Sequence, residues 1–333
     1  MSRHGNISIF VPHLGCPRQC SFCNQHYIAK TLEAPQKEDI ITAVNTAINS
    51  KKYNPNTTEL AFFGGSFTAI ERDYMLSLLE AAKPFVEKGK ISGIRISTRP
   101  DAINEEILHL LKKYGVTAIE LGAQSMDNEV LSLNRRGHTA DDVVKASQLI
   151  VNNGFSLGLQ MMTGLLGDTD EKSISTAKKL IDLKPDTVRI YPTIVFEDTY
   201  LGQLFKNGVY KPQNLEKAVN LTAVLLEMFK ENGISVIRTG LHTIDETKYL
   251  AGPWHPAFRE LCDSKIYLKK AISKLAARGD YLIYVPRGEI SKMSGQKREN
   301  IEALKKLDYN CRVKESETLS QFEIITERVG ESE

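Results

Sequence analysis

The sequence predicts an α/β fold in which a parallel sheet is wrapped by helices as an open or closed β/α barrel, with a smaller appendage behind it. Three observations carry this. Short β-branched or aliphatic runs recur along the first 240 residues, segments with helical periodicity separate them, and the runs are apolar almost throughout. Strands of that kind need cover on both faces, which a parallel sheet between helices supplies.

The strand candidates are ISIFV (7–11), ELAFFG (59–64), GIRIST (93–98), VTAIEL (116–121), LGLQMM (157–162), DTVRIY (186–191) and ISVIR (234–238). Helical spacing appears in KEDIITAVNTAIN (37–49), DYMLSLLEAAKPFV (73–86), NEEILHLLKKYG (104–115), DDVVKASQLIVNNG (141–154) and NLEKAVNLTAVLLEMFKENG (214–233). Several of these stop at a glycine, a common end to a helix. In such barrels the chemistry sits at the C-terminal ends of the strands. Unusual residues fall there: cysteines after the first strand, then GGSF, STRPD, GAQSM and TGLLGDT after the next four.

The pattern weakens near residue 240. LAGPWHPAFREL (250–261) reads as a structured connection, followed by a helix near 264–277, the strand YLIYV and a basic helical stretch. The barrel is therefore expected over 1–240 and an extension packed on it over 241–333.

Composition bounds the remaining choices. A chain of 333 residues with 41% hydrophobic and 25% charged residues buries a sizeable core, and a net charge of +2 gives no global reason to expect nucleic acid. Neither a long apolar run nor a secretory signal is present, so a soluble, cytoplasmic protein with no membrane association is expected. Five cysteines, three of them within eight positions, do not resemble a disulfide framework and fit a reducing compartment.

Cys16, Cys20 and Cys23 form C-x3-C-x2-C directly after the first strand. Four thiolates would close a tetrahedral zinc site or ligate every iron of a cluster; three leave one coordination position for something else. His13 and His26 are available as a fourth ligand, so counting leaves structural zinc, an open cluster and packed thiols all standing.

The stretch GCPRQCSFC resembles the signature of the radical S-adenosylmethionine (SAM) superfamily. The resemblance implies that Cys16, Cys20 and Cys23 hold a [4Fe-4S] cluster whose fourth iron is chelated by the amino and carboxylate groups of SAM. It further implies reductive cleavage of SAM to methionine and a 5′-deoxyadenosyl radical that abstracts hydrogen from substrate. Phe22 occupies the aromatic position of the motif. FFGGSF resembles the family's glycine-rich turn, which implies that Gly64, Gly65 and Ser66 receive the methionine amino group, although the family often has Glu or Thr at the place of Ser66.

Alignment with the oxygen-independent coproporphyrinogen oxidase type implies cofactor roles for four more residues. Ser97 stands where an acidic ribose ligand often lies, and Gln160 where that type carries Asp. Gln124 and Arg136 match polar residues that bind the ribose and the methionine carboxylate, the latter suited to the planar guanidinium fork. Each also reads as an ordinary loop residue. RRGHT (135–139) reads as a loop whose Thr139 caps the next helix, with His138 either structural or a proton carrier. TGLLGDT resembles the GLPGQT loop of these barrels, with Leu166 in place of proline.

The whole run of motifs, which adds RIYPTIV and AGPWHPAFREL, most resembles the radical SAM portion of the elongator catalytic subunit and its short bacterial relatives. That implies a partial (β/α)6-type TIM-like barrel with a small α+β C-terminal extension, acting on tRNA or other RNA, with an electron donor such as flavodoxin or ferredoxin. Two departures bear on uridine carboxymethylation: 333 residues leave no room for an acetyltransferase domain, and the first cysteine interval is short. A local basic region supports RNA, since 263–314 holds thirteen Lys and Arg against six Asp and Glu; a solvated helix face is the plainer reading. Tyr281 and Tyr284 read as base-stacking or strand-packing residues. The alternatives are a cluster- or haem-binding protein without turnover, and a radical SAM enzyme acting on a small molecule or peptide.

Arg189, Tyr191, Glu120, Arg238 and His242 fall at strand ends as substrate contacts, with a buried Glu120–Arg189 ion pair the simpler expectation for those two. Cys262 and Cys311 are expected to be packed thiols. Nothing in the sequence sets the oligomeric state.

Overall fold

The computed structural model describes residues 5–12, 20–23, 34–241 and 244–329. Seven strands, β1 (Gly5–Val11), β2 (Thr58–Gly64), β3 (Gly93–Thr98), β4 (Val116–Gln124), β5 (Ser156–Thr163), β6 (Thr187–Pro192) and β8 (Ser235–Thr239), form one sheet in the order β1-β2-β3-β4-β5-β6-β8. Every pairing in it is parallel. All seven strand candidates belong to this sheet, which is an open half-barrel. Six strand–helix units precede β8, so the six-unit expectation is met with a seventh parallel strand added.

The connections between strands contain α1 (Lys37–Ile48), α2 (Arg72–Glu87), α3 (Glu105–Lys113), α4 (Asn128–Leu133), α5 (Ala140–Asn152), α6 (Asp170–Asp182), α7 (Tyr200–Lys206) and α8 (Leu215–Glu231). Helices cover one face of the sheet and side chains of neighbouring strands fill the other, so all six residues of β3 are buried. Four of the loops that leave the strands end in a side-chain cap. Asn104, Asp127, Thr169 and Thr199 each accept a backbone N–H from the first turn that follows. Strand register at one end and a cap at the other hold these loops at the mouth of the barrel.

A polar stripe crosses the sheet. Glu120 on β4 is 1% exposed and its carboxylate accepts from Arg189 on β6 (Nη2–Oε1 2.9 Å) and from Arg95 on β3 (Nη1–Oε1 3.4 Å). Arg95 also pairs with Glu59 on β2 at 2.8 Å, and Gln160 on β5 donates to Glu120 at 3.3 Å. The expected Glu120–Arg189 ion pair is present.

Past the barrel, β7 (Val195–Phe196) and β9 (Tyr249–Ala251) pair antiparallel. A helix α9 (Phe258–Lys274) then begins six residues earlier than expected, just after Pro256, because Phe258, Cys262 and Ile266 already bury at helical spacing. Next come β10 (Gly279–Pro286), α10 (Ile290–Ser294), α11 (Glu299–Lys306), β11 (Tyr309–Ser316) and β12 (Ile325–Arg328). The second sheet runs β11-β10-β12, parallel on one side of β10 and antiparallel on the other, an α+β arrangement. Ile283 and Val285 of β10 and Leu304 of α11 are continuous with the barrel core. Cys262 and Cys311 are buried, and burial pushes both thiols up, Cys311 to about 11. Tyr281 is buried with its hydroxyl donating to the Ala277 carbonyl, so it packs the strand. No helix among the described residues is long and apolar enough to cross a membrane.

Replacing Glu120 strands the buried Arg189 guanidinium and leaves Arg95 with Glu59 alone. Glu120→Ala is expected to cost about 3–5 kcal/mol of stability, read from urea denaturation against the unmodified protein.

Candidate functional site

A cavity of about 460 Å³ opens at the C-terminal ends of the strands. Its wall includes ten of the residues singled out in the sequence: Cys20, Phe22, Cys23, Gly64, Gly65, Ser66, Ser97, Gln124, Arg136 and Gln160. They come from strands β2 to β5 and from the loops after β1, β2 and β4. Cys16, His13, His26 and His242 lie outside the described residues, so the first cysteine has no place in this description. Among the described residues no three metal-ligating side chains cluster.

The short loop that carries Cys20 and Cys23 is turned by a Cys23 N–H to Cys20 carbonyl bond of 3.2 Å. Asn134, wholly buried at the end of α4, clamps it. The Ser21 hydroxyl donates to Asn134 Oδ1 at 2.7 Å, and the Ser21 N–H donates to the Asn134 carbonyl at 3.1 Å. The same Oδ1 accepts from the Leu166 N–H at 3.3 Å, while Nδ2 donates to the Leu166 carbonyl at 2.9 Å. Leu166 therefore does something a proline could not, because its N–H is used. Leu201 closes the clamp by donating its N–H to the Ser21 carbonyl at 2.7 Å. Phe22 packs beside Leu166 against Val195, Leu201 and Tyr210.

Arg136 reaches the cysteine loop from the loop beyond α4. Nη1 donates to Cys20 Sγ at 3.0 Å and Nη2 donates to the Gly122 carbonyl at 2.7 Å, leaving a buried Nε without a partner among the described residues. The glycine turn after β2 is equally constrained. Gly64 has φ +114°, and a β-carbon on it would lie 2.4 Å from the Val11 carbonyl oxygen, so only glycine lets the backbone pass. Gly65 donates its N–H to that same carbonyl at 2.9 Å, binding the turn to the end of β1.

Two oxygen atoms of wall residues, Ser97 Oγ and Gln124 Oε1, are buried and have no partner among the described residues. Gln124 also has φ +64° at the bulged end of β4, a conformation non-glycine residues rarely adopt. Orphaned acceptors, a turn that admits no β-carbon and two thiols on one wall fit a ligand with hydroxyl and amino groups beside a thiolate-bound cluster.

His138 is 5% exposed and does not line the cavity; its Nε2 lies 3.2 Å from the Ala123 carbonyl. Burial first, and then the Arg136 guanidinium, lower its pKa to about 4. It is a neutral structural histidine at physiological pH rather than a proton carrier. Thr139 caps α5 as expected, in a reciprocal capping box with Asp142. The residues that sequence reading passed over are Ser21 and Asn134: neither type nor spacing marks them, because their partners lie 113 and 32 positions away.

The Radical SAM superfamily model matches residues 10–180 and the Radical_SAM C-terminal domain model residues 185–268. The tRNA uridine(34) acetyltransferase of Methanocaldococcus jannaschii is 34% identical over 186 residues, 50% of this chain and 34% of that protein. Elongator complex protein 3 of Homo sapiens is 30% identical over 197 residues, 53% of this chain and 36% of that one. The chain thus spans about a third of the length of these two relatives. Among solved structures, archaeal Methanocaldococcus infernus Elp3 with an N-terminal deletion superposes with a TM-score of 0.62 at 23% identity, over 83% of this chain and 66% of that one, and shares the fold.

Two outcomes follow from the geometry. Asn134→Ala removes the acceptor of Ser21 and Leu166 and the donor to Leu166, and is expected to lower stability in urea by about 2–4 kcal/mol. His138 takes up its proton near pH 6.5 when unfolded and near 4 when folded. Its contribution is therefore complete above pH 6.5 and lost as pH falls toward 4. His138→Gln should flatten the pH dependence of urea unfolding in that window.

Proposed function

Because the chain belongs to the radical SAM superfamily, with 171 of its 333 residues, 10–180, matching that family's model, we propose that its cavity holds SAM beside a [4Fe-4S] cluster and that it modifies RNA, specifically tRNA. The observation that carries this is the convergence of Cys20, Cys23, the Gly64–Ser66 turn and the unpartnered Ser97 and Gln124 on one wall. Cys16, Cys20 and Cys23 are the cluster ligands. When bound, cluster and SAM supply reductive cleavage of the sulfonium and a 5′-deoxyadenosyl radical, the electron coming from a donor such as flavodoxin or ferredoxin.

The protein's own part is to hold and orient. The Gly64–Ser66 turn offers backbone carbonyls to an amino group at close range. Gln124 and Ser97 supply the hydrogen-bonding capacity that ribose hydroxyls need. Arg136 donates to Cys20 and keeps one donor for a carboxylate. Gln160 is held by Glu120, which turns its amide group toward the same wall. Phe22 shields the cysteine loop from water.

RNA is supported by two relatives, one named a tRNA uridine(34) acetyltransferase and the other an elongator subunit, and by the surface of the extension, 241–333. There Lys297, Arg298, Lys305, Lys306, Arg312 and Lys314 are all exposed, as phosphate contacts require. A reducing, cytoplasmic setting suits the thiolates.

The test is anaerobic reconstitution with iron and sulfide, followed by quantification of 5′-deoxyadenosine after SAM and a strong reductant are added. Product is expected from the native protein and none from Cys20→Ala, with unmodified tRNA raising the yield. A reconstituted cluster that cleaves no SAM under any reductant would end the enzymatic reading.

A further inference from the structure

Four arginines line the cavity, and three of them are engaged. Arg99 pairs with Asp101, Arg136 donates to Cys20 and Gly122, and Arg189 Nε lies 2.7 Å from Glu120. Arg238, on β8, has no ion pair or hydrogen bond among the described residues, although its Nε is buried.

Its surroundings sharpen the imbalance. Arg238 is in direct register with Arg189 on the neighbouring strand β6, and both arginines line the cavity. Glu120 compensates one of them and is already shared with Arg95. Like charges opposed across strands are destabilising, and a cation partly withdrawn from water without a counter-charge is more so. An oxyanion entering the cavity would relieve both. In sheet order β8 is the edge strand opposite β1, so Arg238 and the cysteine loop are carried by different ends of the sheet while lining one cavity. Tyr191, Phe196 and Leu241 line the same cavity and offer flat and apolar surface.

We propose that Arg238 receives a phosphate of the nucleotide presented for modification, while the neighbouring aromatic and aliphatic side chains receive its base; this rests on the RNA reading above. A guanidinium fork suits two phosphate oxygens, and bases stack on aromatic faces.

The test is calorimetric titration of the SAM-loaded, reconstituted protein with uridine 5′-monophosphate and, separately, with uridine. The native protein should bind the nucleotide about tenfold more tightly than the nucleoside. Arg238→Gln should erase that preference, and Arg238→Lys should retain part of it, which separates loss of charge from loss of fold. Equal binding of the two ligands by the native protein, or a preference that survives in Arg238→Gln, would overturn the proposal. So would a tenfold fall in SAM affinity in Arg238→Gln with the nucleotide preference intact, since the guanidinium would then serve the SAM carboxylate. Titration with tRNA keeps the two readings apart: no tRNA binding beside an intact nucleotide preference would sink the RNA assignment and leave the phosphate subsite standing.

Discussion

A buried carboxylate sets the terms inside this barrel. Glu120 is almost wholly removed from water and lies between Arg95 and Arg189, so three charges are buried together across three strands. Removing charges from water costs several kcal/mol each, and only mutual pairing with good geometry offsets it. The pairing in turn requires β3, β4 and β6 to keep their register, because a one-residue slip would turn these side chains to the helix-covered face. The charge arrangement and the strand register therefore enforce each other.

On that frame the mouth is assembled from loops that are individually short of stabilising contacts. The Cys20–Cys23 segment forms no regular element and is held by hydrogen bonds to Asn134 and Leu201. Asn134 joins it to the loop after β5, and Arg136 joins it to the end of β4. Three loops from different strands thus share one polar network, and a shift in one is passed to the others. Polar networks of this kind are stabilising only when fully satisfied. Exceptions among the residues that line the cavity are Ser97 Oγ, Gln124 Oε1 and the Nε atoms of Arg136 and Arg238, which have no partner among the described residues.

The strands were legible in the sequence because a parallel sheet covered by helices demands unbroken apolar runs, and ISIFV or GIRIST carry that demand locally. Helix starts were equally legible where a capping residue stands, as at Thr139. The start of α9 was not, because the helical spacing of Phe258, Cys262 and Ile266 begins inside a proline-containing stretch that reads as a connection, and its first turn also packs against the end of β8. The cysteine loop and the glycine turn were read through their resemblance to a family's motifs, because residue type and spacing alone left structural zinc, an open cluster and packed thiols all standing.

The sequence by itself determined the fold class, the end of the barrel where the chemistry gathers and the residue types that gather there, since periodicity, glycine and thiol spacing are local properties. Tertiary structure alone decided which groups are satisfied. Whether an arginine in a cavity is neutralised, as Arg189 is, or left without a counter-charge among the described residues, as Arg238 is, depends on where a carboxylate 69 residues from Arg189 comes to rest. Electrostatic balance and hydrogen-bond satisfaction are sums over neighbours in space, and only the folded chain supplies those neighbours.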